Sequence, residues 1–371
     1  MPVSAASSNK RAIVQPPALF AAALLWAYTA AGIVFDPQFP SYASIFTHRK
    51  MVFRHRNGGA RIGRLLALTA LITLGAIAGG LWFLDHRDPL LSLPRPQHSL
   101  QAGRDMVTLR TGRMIQHFIL HTDGIGDIGI TVSLPEPLPR FKLPIVMVLG
   151  GLGTGEQNIR NVPDAGDNAI VGYDWPMPVR LGGGVAFLTQ SPSLYRRVMT
   201  IPAQVSSALS WLSGQPWADP QRVSMLGFSL GALAAPAIED VAERDGQTIG
   251  WTILAYGGDP FGALLAANPH VKPLFLRPVL APLIDILLSP LEPCRHLPHL
   301  SGEFLVLEGQ DDALIPESAR ARFYDATPEP KTIREFNGDH MGVGPDKQAL
   351  LQEIIGASRT WLIDKGAIDP F

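Results

Sequence analysis

GFSLG, residues 227–231, joins the apolar run QRVSMLGF (221–228) to LGALAAPAIEDVAERDG (230–246). The first segment reads as a short buried strand. The second reads as a helix, with Pro236 as a kink within it. A serine at a sharp strand-to-helix turn is lifted above the edge of a sheet, and flanking glycines avoid clashes where no Cβ fits. The same turn aims the amide of Leu230, at a helix N-terminus, toward a developing oxyanion. With 36 glycines in 371 residues, G-x-S-x-G also arises as an ordinary tight turn, so context must decide.

A serine hydroxyl is a poor nucleophile until a base takes its proton. Two downstream segments supply partners in the order serine, acid, histidine. In LVLEGQDDALIP (305–316) a strand ends at Glu308-Gly309 and acids follow in the loop. Asp312 is the preferred acid and Asp311 the alternative. A carboxylate there orients a histidine tautomer and stabilises the imidazolium. In EFNGDHMGVG (335–344), His340 follows a strand in a glycine-flanked loop, a placement that suits a general base. A second oxyanion donor belongs in the loop after the strand LPIVMVLGG (143–151), where LGGLGTGEQN (149–158) offers Gly151, with Leu152 as runner-up.

The rest of the body alternates strands and helices. RMIQHFILH (113–121) and IGITVSL (128–134) form an antiparallel pair, and AIVGYDW (169–175), GWTILAYGG (250–258) and KTIREFNGDH (331–340) carry further strands. SLYRRVMTIPAQVSSALSWLSG (193–214) has helical spacing with Pro202 as a break or kink, and an amphipathic helix closes the chain. Repeated strand–helix–strand units predict a mostly parallel α/β sheet covered on both faces. The apolar, proline-punctuated stretch about 259–300 is too long for a plain loop and predicts a helical cap over the ligand edge.

With these pieces together the chain resembles the α/β-hydrolase superfamily, over about residues 107–366. The resemblance rests on LGGLG (149–153), GFSLGA (227–232), GQDDALIP (309–316) and GDHMG (338–342). It implies an α/β-hydrolase fold: an eight-stranded, mostly parallel sheet flanked by helices, with the cap inserted after strand six. It also implies Ser229 as nucleophile, Asp312 as acid, His340 as base, and Gly151 and Leu230 as oxyanion amides. Many members carry His-Gly where this chain has Leu149-Gly150, a departure that bears on the second oxyanion donor. Dienelactone hydrolases share the layout but use a cysteine nucleophile, so Ser229 argues against their chemistry.

Composition bounds the remaining readings. A formal net charge of −1 gives no basic field for nucleic acid. The single cysteine, Cys294, excludes an intramolecular disulfide and any CxxC site, and reads as a packed thiol. No HExxH, EF-hand or Walker pattern occurs, so neither metal nor cofactor is expected.

The front of the chain points to a membrane. RLLALTALITLGAIAGGLWFL (64–84) is long enough to cross ~30 Å of hydrocarbon. The basic flank HRKMVFRHRNGGARIGR (48–64) stays cytoplasmic by the positive-inside rule. ALFAAALLWAYTAAGIVF (18–35) is a candidate second span. If translation instead starts at Met51, Ala76-Ile77-Ala78 reads as a signal cleavage site. Each version sends the body to the non-cytoplasmic (periplasmic or extracellular) side. The expected organisation is an N-terminal extension (1–62), an anchor or signal (63–84), a linker (85–106) and a hydrolase domain (107–371). The expected partners are a small or lipid-like ester and the membrane. The expected activity is ester hydrolysis through an acyl-serine. Acyl transfer or peptide cleavage on the same triad, and a silent tethered binding protein, are the alternatives.

Overall fold

The structure, a computed structural model, describes residues 59–94, 101–110, 112–151, 155–162, 165–176, 185–269, 271, 274–342 and 347–370. The candidate second span (18–35), Met51 with most of its basic flank, and Leu152 lie outside the described residues.

Nine strands form one sheet. They are β1 (Gln101–Arg110), β2 (Arg113–His121), β3 (Ile128–Pro135), β4 (Leu143–Leu149), β5 (Ala169–Tyr173), β6 (Ala218–Phe228), β7 (Trp251–Ala255), β8 (Glu303–Gly309) and β9 (Lys331–Phe336), in the order β1-β2-β3-β5-β4-β6-β7-β8-β9. The six strands from β5 to β9 in that order are parallel. The β1–β2–β3 meander joins them antiparallel through β3 and β5. Every residue of β4 is buried, as a strand covered on both faces requires. Ile145, Met147 and Leu149 enter one core and Val146 and Val148 the other, following the two-residue strand period.

The helices are α1 (Gly59–His86), α2 (Gly155–Arg160), α3 (Val185–Ser213), α4 (Leu230–Arg244), α5 (Phe261–Ala267), α6 (Arg277–Leu288), α7 (Pro293–His296), α8 (Glu317–Ala326) and α9 (Gln348–Asp364). Ile201, Val205 and Leu209 of α3 pack on one face of the sheet, and Ile354 and Trp361 of α9 on the other. The fold class is the one expected.

Three details differ from the sequence reading. The sheet has nine strands rather than eight. The extra strand, β1, begins at Gln101, inside the stretch read as linker, because its ladder partner is β2 and not an apolar pattern of its own. Helix α3 runs through Pro202 without a break, and α4 holds Pro236 within it as read. A proline removes one intrahelical bond, and the buried neighbours Ile201, Ala203, Ala235 and Ala237 hold both helices in place.

Between β7 and β8 the chain builds α5, α6 and α7, the region expected as a cap. A buried carboxyl group ties it down. Glu292 Oε1 accepts the amide of Phe261 at 3.3 Å, and Asp285 accepts the amide of Gly262 at 2.5 Å. Asp259, with no exposed surface, accepts the amide of Cys294 at 3.2 Å and ion-pairs with Arg322 at 2.7 Å. Burial pushes the Glu292 carboxyl up to about 10, with the neighbouring Asp259 and Asp285 adding to the shift. At neutral pH Glu292 therefore keeps its proton in the folded chain. In the unfolded chain it releases it near 4.5. The stability held in this proton is complete below the lower value and declines as pH rises toward the upper one. The thermal midpoint of the wild type should fall more steeply from about pH 6 to pH 9 than that of Glu292→Gln, which keeps a neutral group there. Parallel slopes in a pH series of melting curves would contradict a buried protonated Glu292.

Candidate active site

Ser229 lies between β6 and α4 with φ 52° and ψ −110°, a left-handed conformation that a non-glycine residue rarely adopts. Two close approaches hold it there. A Cβ on Gly231 would stand 1.9 Å from the Leu149 carbonyl oxygen of β4. A Cβ on Gly227 would stand 2.7 Å from the Gly231 carbonyl oxygen. Both glycines of the motif are therefore required by backbone contact rather than by their own φ. The Ser229 amide donates to the Ala255 carbonyl of β7 at 2.8 Å and fixes the turn to the sheet.

The structure brings Ser229, His340 and Asp312 together. His340 Nε2 is 2.9 Å from Ser229 Oγ, and His340 Nδ1 is 2.7 Å from Asp312 Oδ2. Asp312 Oδ1 accepts the amides of Leu314 (2.9 Å) and Ile315 (3.2 Å), which fixes the carboxylate in its own turn. Its side chain is 1% exposed and that of His340 15%. Since Asp312 only accepts, the proton of the His340–Asp312 bond sits on Nδ1. Nε2 is then the acceptor for the Ser229 hydroxyl. Asp311 is exposed, and its amide donates to the Gly338 carbonyl. Among the other described histidines, His296 is buried and bonded to Asp240 and to the Pro290 carbonyl.

Leu230 opens α4, so its amide belongs to the first turn, whose N–H groups have no partner within the helix. Gly151 lies two residues past the end of β4, half-buried, on the turn that the start of α4 abuts.

Two residues that the sequence reading passed over shape the site. Asp339 Oδ1 accepts the amides of His340 (2.7 Å) and Ala313 (3.3 Å) and so staples the histidine loop to the acid loop. Partial burial pulls the Asp339 carboxyl up, but those amides and Lys347 outweigh it and leave it below its ordinary range. Tyr256, at φ 61°, sets its ring edge-on to His340 with centroids 5.3 Å apart. Its hydroxyl is buried without a hydrogen-bond partner, and burial, with Asp312 nearby, pushes its pKa well up. The positive φ has no sequence signal. The aspartate adjoining His340 stands in the quoted stretch GDHMG (338–342) but was given no role.

One further group titrates close by. Burial pushes the Glu308 carboxyl up to about 7, against the pull of Arg320, which stands 3.5 Å away. Cys294 is pushed up to about 12 by burial and by Asp259, which leaves the thiol protonated and a poor nucleophile.

No family model matches the sequence, and no curated protein matches it. Among solved structures the chain is similar to acetyl xylan esterase 1 from Thermoanaerobacterium sp. JW/SL YS485. That likeness has a TM-score of 0.52 and 13% identity, and covers 74% of this chain and 93% of that one. It is also similar to an acetyl xylan esterase from Paenibacillus sp. R4, with a TM-score of 0.52 and 16% identity, covering 75% and 93% of the two chains. The chain has the α/β-hydrolase fold.

The close approach at Gly231 gives a direct test. Gly231→Ala forces a methyl group into the Leu149 carbonyl, and neither backbone can yield without moving the serine turn. The expected loss is about 3 kcal/mol or more in stability, measured by thermal unfolding. Gly356→Ala in α9, where a Cβ meets nothing within 4 Å, should be neutral or slightly stabilising. Equal midpoints for the two variants would show that the turn has room to relax.

Proposed function

We propose that this protein is a membrane-anchored serine hydrolase that cleaves carboxylic esters of apolar acyl groups through a covalent acyl-serine. The observation that carries the proposal is the unbroken hydrogen-bond chain Ser229–His340–Asp312, at 2.9 and 2.7 Å, with the serine on a strained turn. Ester chemistry is favoured over other acyl chemistry because the cap region is apolar and no charged group stands out as a specificity contact.

His340 Nε2 takes the Ser229 proton as Oγ attacks the ester carbonyl. The carbonyl oxygen becomes an oxyanion, held by the amides of Leu230 and Gly151. Collapse of the tetrahedral intermediate breaks the bond to the leaving alcohol, which departs with the proton from His340. Water then gives a proton to His340 and attacks the acyl-serine. The second intermediate releases the carboxylic acid, and the proton returns to Ser229. Asp312 orients His340 and stabilises its imidazolium without itself taking up the proton.

The anchor is α1. Ala67–His86 is long and apolar enough to cross a membrane, and its residues 67–80 are all exposed. The basic stretch before it favours the cytoplasmic side, which puts the hydrolase domain on the opposite, non-cytoplasmic side.

A fluorophosphonate probe should add once to the full chain in detergent and not at all to Ser229→Ala, read by intact mass. Absence of an adduct on the folded wild type would overturn the proposal. Asp312→Asn should lower kcat/KM for a soluble ester by about 10³–10⁴-fold, since the histidine then holds the wrong tautomer.

A further inference from the structure

Among its described residues, helix α1 is exposed from Ala67 to Gly80 and meets the domain at its foot. Leu84 packs against the core. Asp85 accepts from Ser289 Oγ (3.2 Å) and from Arg295 (3.3 Å), and Arg87 donates to the Tyr195 hydroxyl at 2.9 Å. Several attachments within one turn fix the direction of the rod relative to the domain. A bilayer crossed by α1 must then meet the protein surface around that turn.

That surface mixes charged side chains, Asp85, His86 and Arg295, with exposed apolar ones. Trp82 and Phe83 are 63% and 59% exposed at the foot of α1, and Leu91, just past it, is 60% exposed. Helix α6 of the cap touches α1 and ends at Leu288, beside Ser289. At the other end of α6, Val279 is 60% exposed, and Leu274 and Phe275 just before the helix are 61% and 76% exposed. Val279 and Leu288 stand nine positions apart on the helix, or roughly 14 Å at 1.5 Å per residue. Single exposed apolar side chains are ordinary on any surface. Three of this size within six residues, a short helix away from the root of a membrane-crossing rod, are not. The cap follows β7, the neighbour of β6 in the sheet, and Ser229 stands at the C-terminal end of β6. The cap and the serine therefore share one edge of the sheet.

We infer that the face of the cap formed by Leu274, Phe275 and Val279 seats in the headgroup–acyl boundary of the bilayer crossed by α1, and that the substrates are amphiphilic esters dissolved in that bilayer. The inference rests on the reading of α1 as an anchor and of Ser229 as an ester-cleaving nucleophile. The seated face lets an acyl chain pass from lipid to the serine without crossing water, and gives the exposed side chains an apolar environment.

The test uses the full chain reconstituted in phosphatidylcholine vesicles. A nitroxide is placed at Phe275→Cys in a Cys294→Ser background, with Leu138→Cys as a distant exposed control, and flotation is measured on the same samples. The expected result is flotation of all variants. At position 275, collision with oxygen should rise and collision with a water-soluble nickel reagent should fall by about 3-fold or more relative to position 138. Flotation with equal collision profiles would overturn the seating and leave the anchor standing. Failure to float would overturn the anchor and the seating together. Phe275→Asp with Val279→Asp should slow hydrolysis of p-nitrophenyl palmitate held in the vesicles by about 10-fold, with p-nitrophenyl acetate in solution changed by less than about 2-fold. Equal rates on the palmitate ester would overturn the substrate class. A wild type inactive on both esters would overturn the esterase reading and the substrate class with it, while the nitroxide profiles still decide the seating.

Discussion

The approach of Gly231 to the Leu149 carbonyl is the contact on which the site depends. It presses the first turn of α4 against the end of β4, so the serine turn and the loop carrying Gly151 lie side by side. Neither backbone has room for a methyl group, and the cost appears as the left-handed φ of Ser229. Such strain persists only where surrounding packing over-determines it. Here that packing is a fully buried β4, the Ser229 amide bonded to the Ala255 carbonyl, and the buried alanines of α4.

The other half of the site is held by polar contacts between loops. Asp312 is fixed by two amides of its own turn, and Asp339 bridges the loop of the acid to the loop of the histidine. Tyr256 limits the tilt of the His340 ring from one side. These contacts leave His340 one tautomer and one orientation before any substrate arrives. Such preorganisation needs no rearrangement at the moment of proton transfer.

Much of this was legible in the sequence, for local reasons. A glycine–serine–glycine turn between a strand pattern and a helix pattern needs only its own neighbours to be read. The parallel core was legible because β4 is apolar at nearly every position. What escaped depends on distant partners. Strand β1 lies in polar, proline-flanked sequence and is a strand because β2 offers its edge. The acid was the exception: Asp312 was preferred over the adjacent Asp311, and the amides of Leu314 and Ile315 in its own turn fix its carboxylate. The positive φ of Tyr256 follows from the end of β7 meeting β8, where its amide bonds the Leu307 carbonyl. Pattern alone does not contain that meeting. Pro202 was read as a break or kink because sequence shows the lost hydrogen bond but not the packing that offsets it.

The segment from Ser289 to His296 connects the two ends of the molecule's proposed chemistry. Ser289 binds Asp85 at the foot of α1. Three residues on, Glu292 holds the amide of Phe261 at the start of the cap. The amide of Cys294 is held by the buried Asp259, directly after the β7 turn. His296 then bonds Asp240 of α4, the helix that begins at the serine. In eight residues the chain passes from α1, through the root of the cap, to the helix that follows Ser229, with a polar contact at each step and a buried one at Glu292 and His296. The buried contacts of Glu292 and His296 are costly to leave half-made, which holds this segment against the cap and α4. A displacement of α1 against the domain is therefore resisted not at one surface contact but along a chain that ends at the helix carrying Ser229.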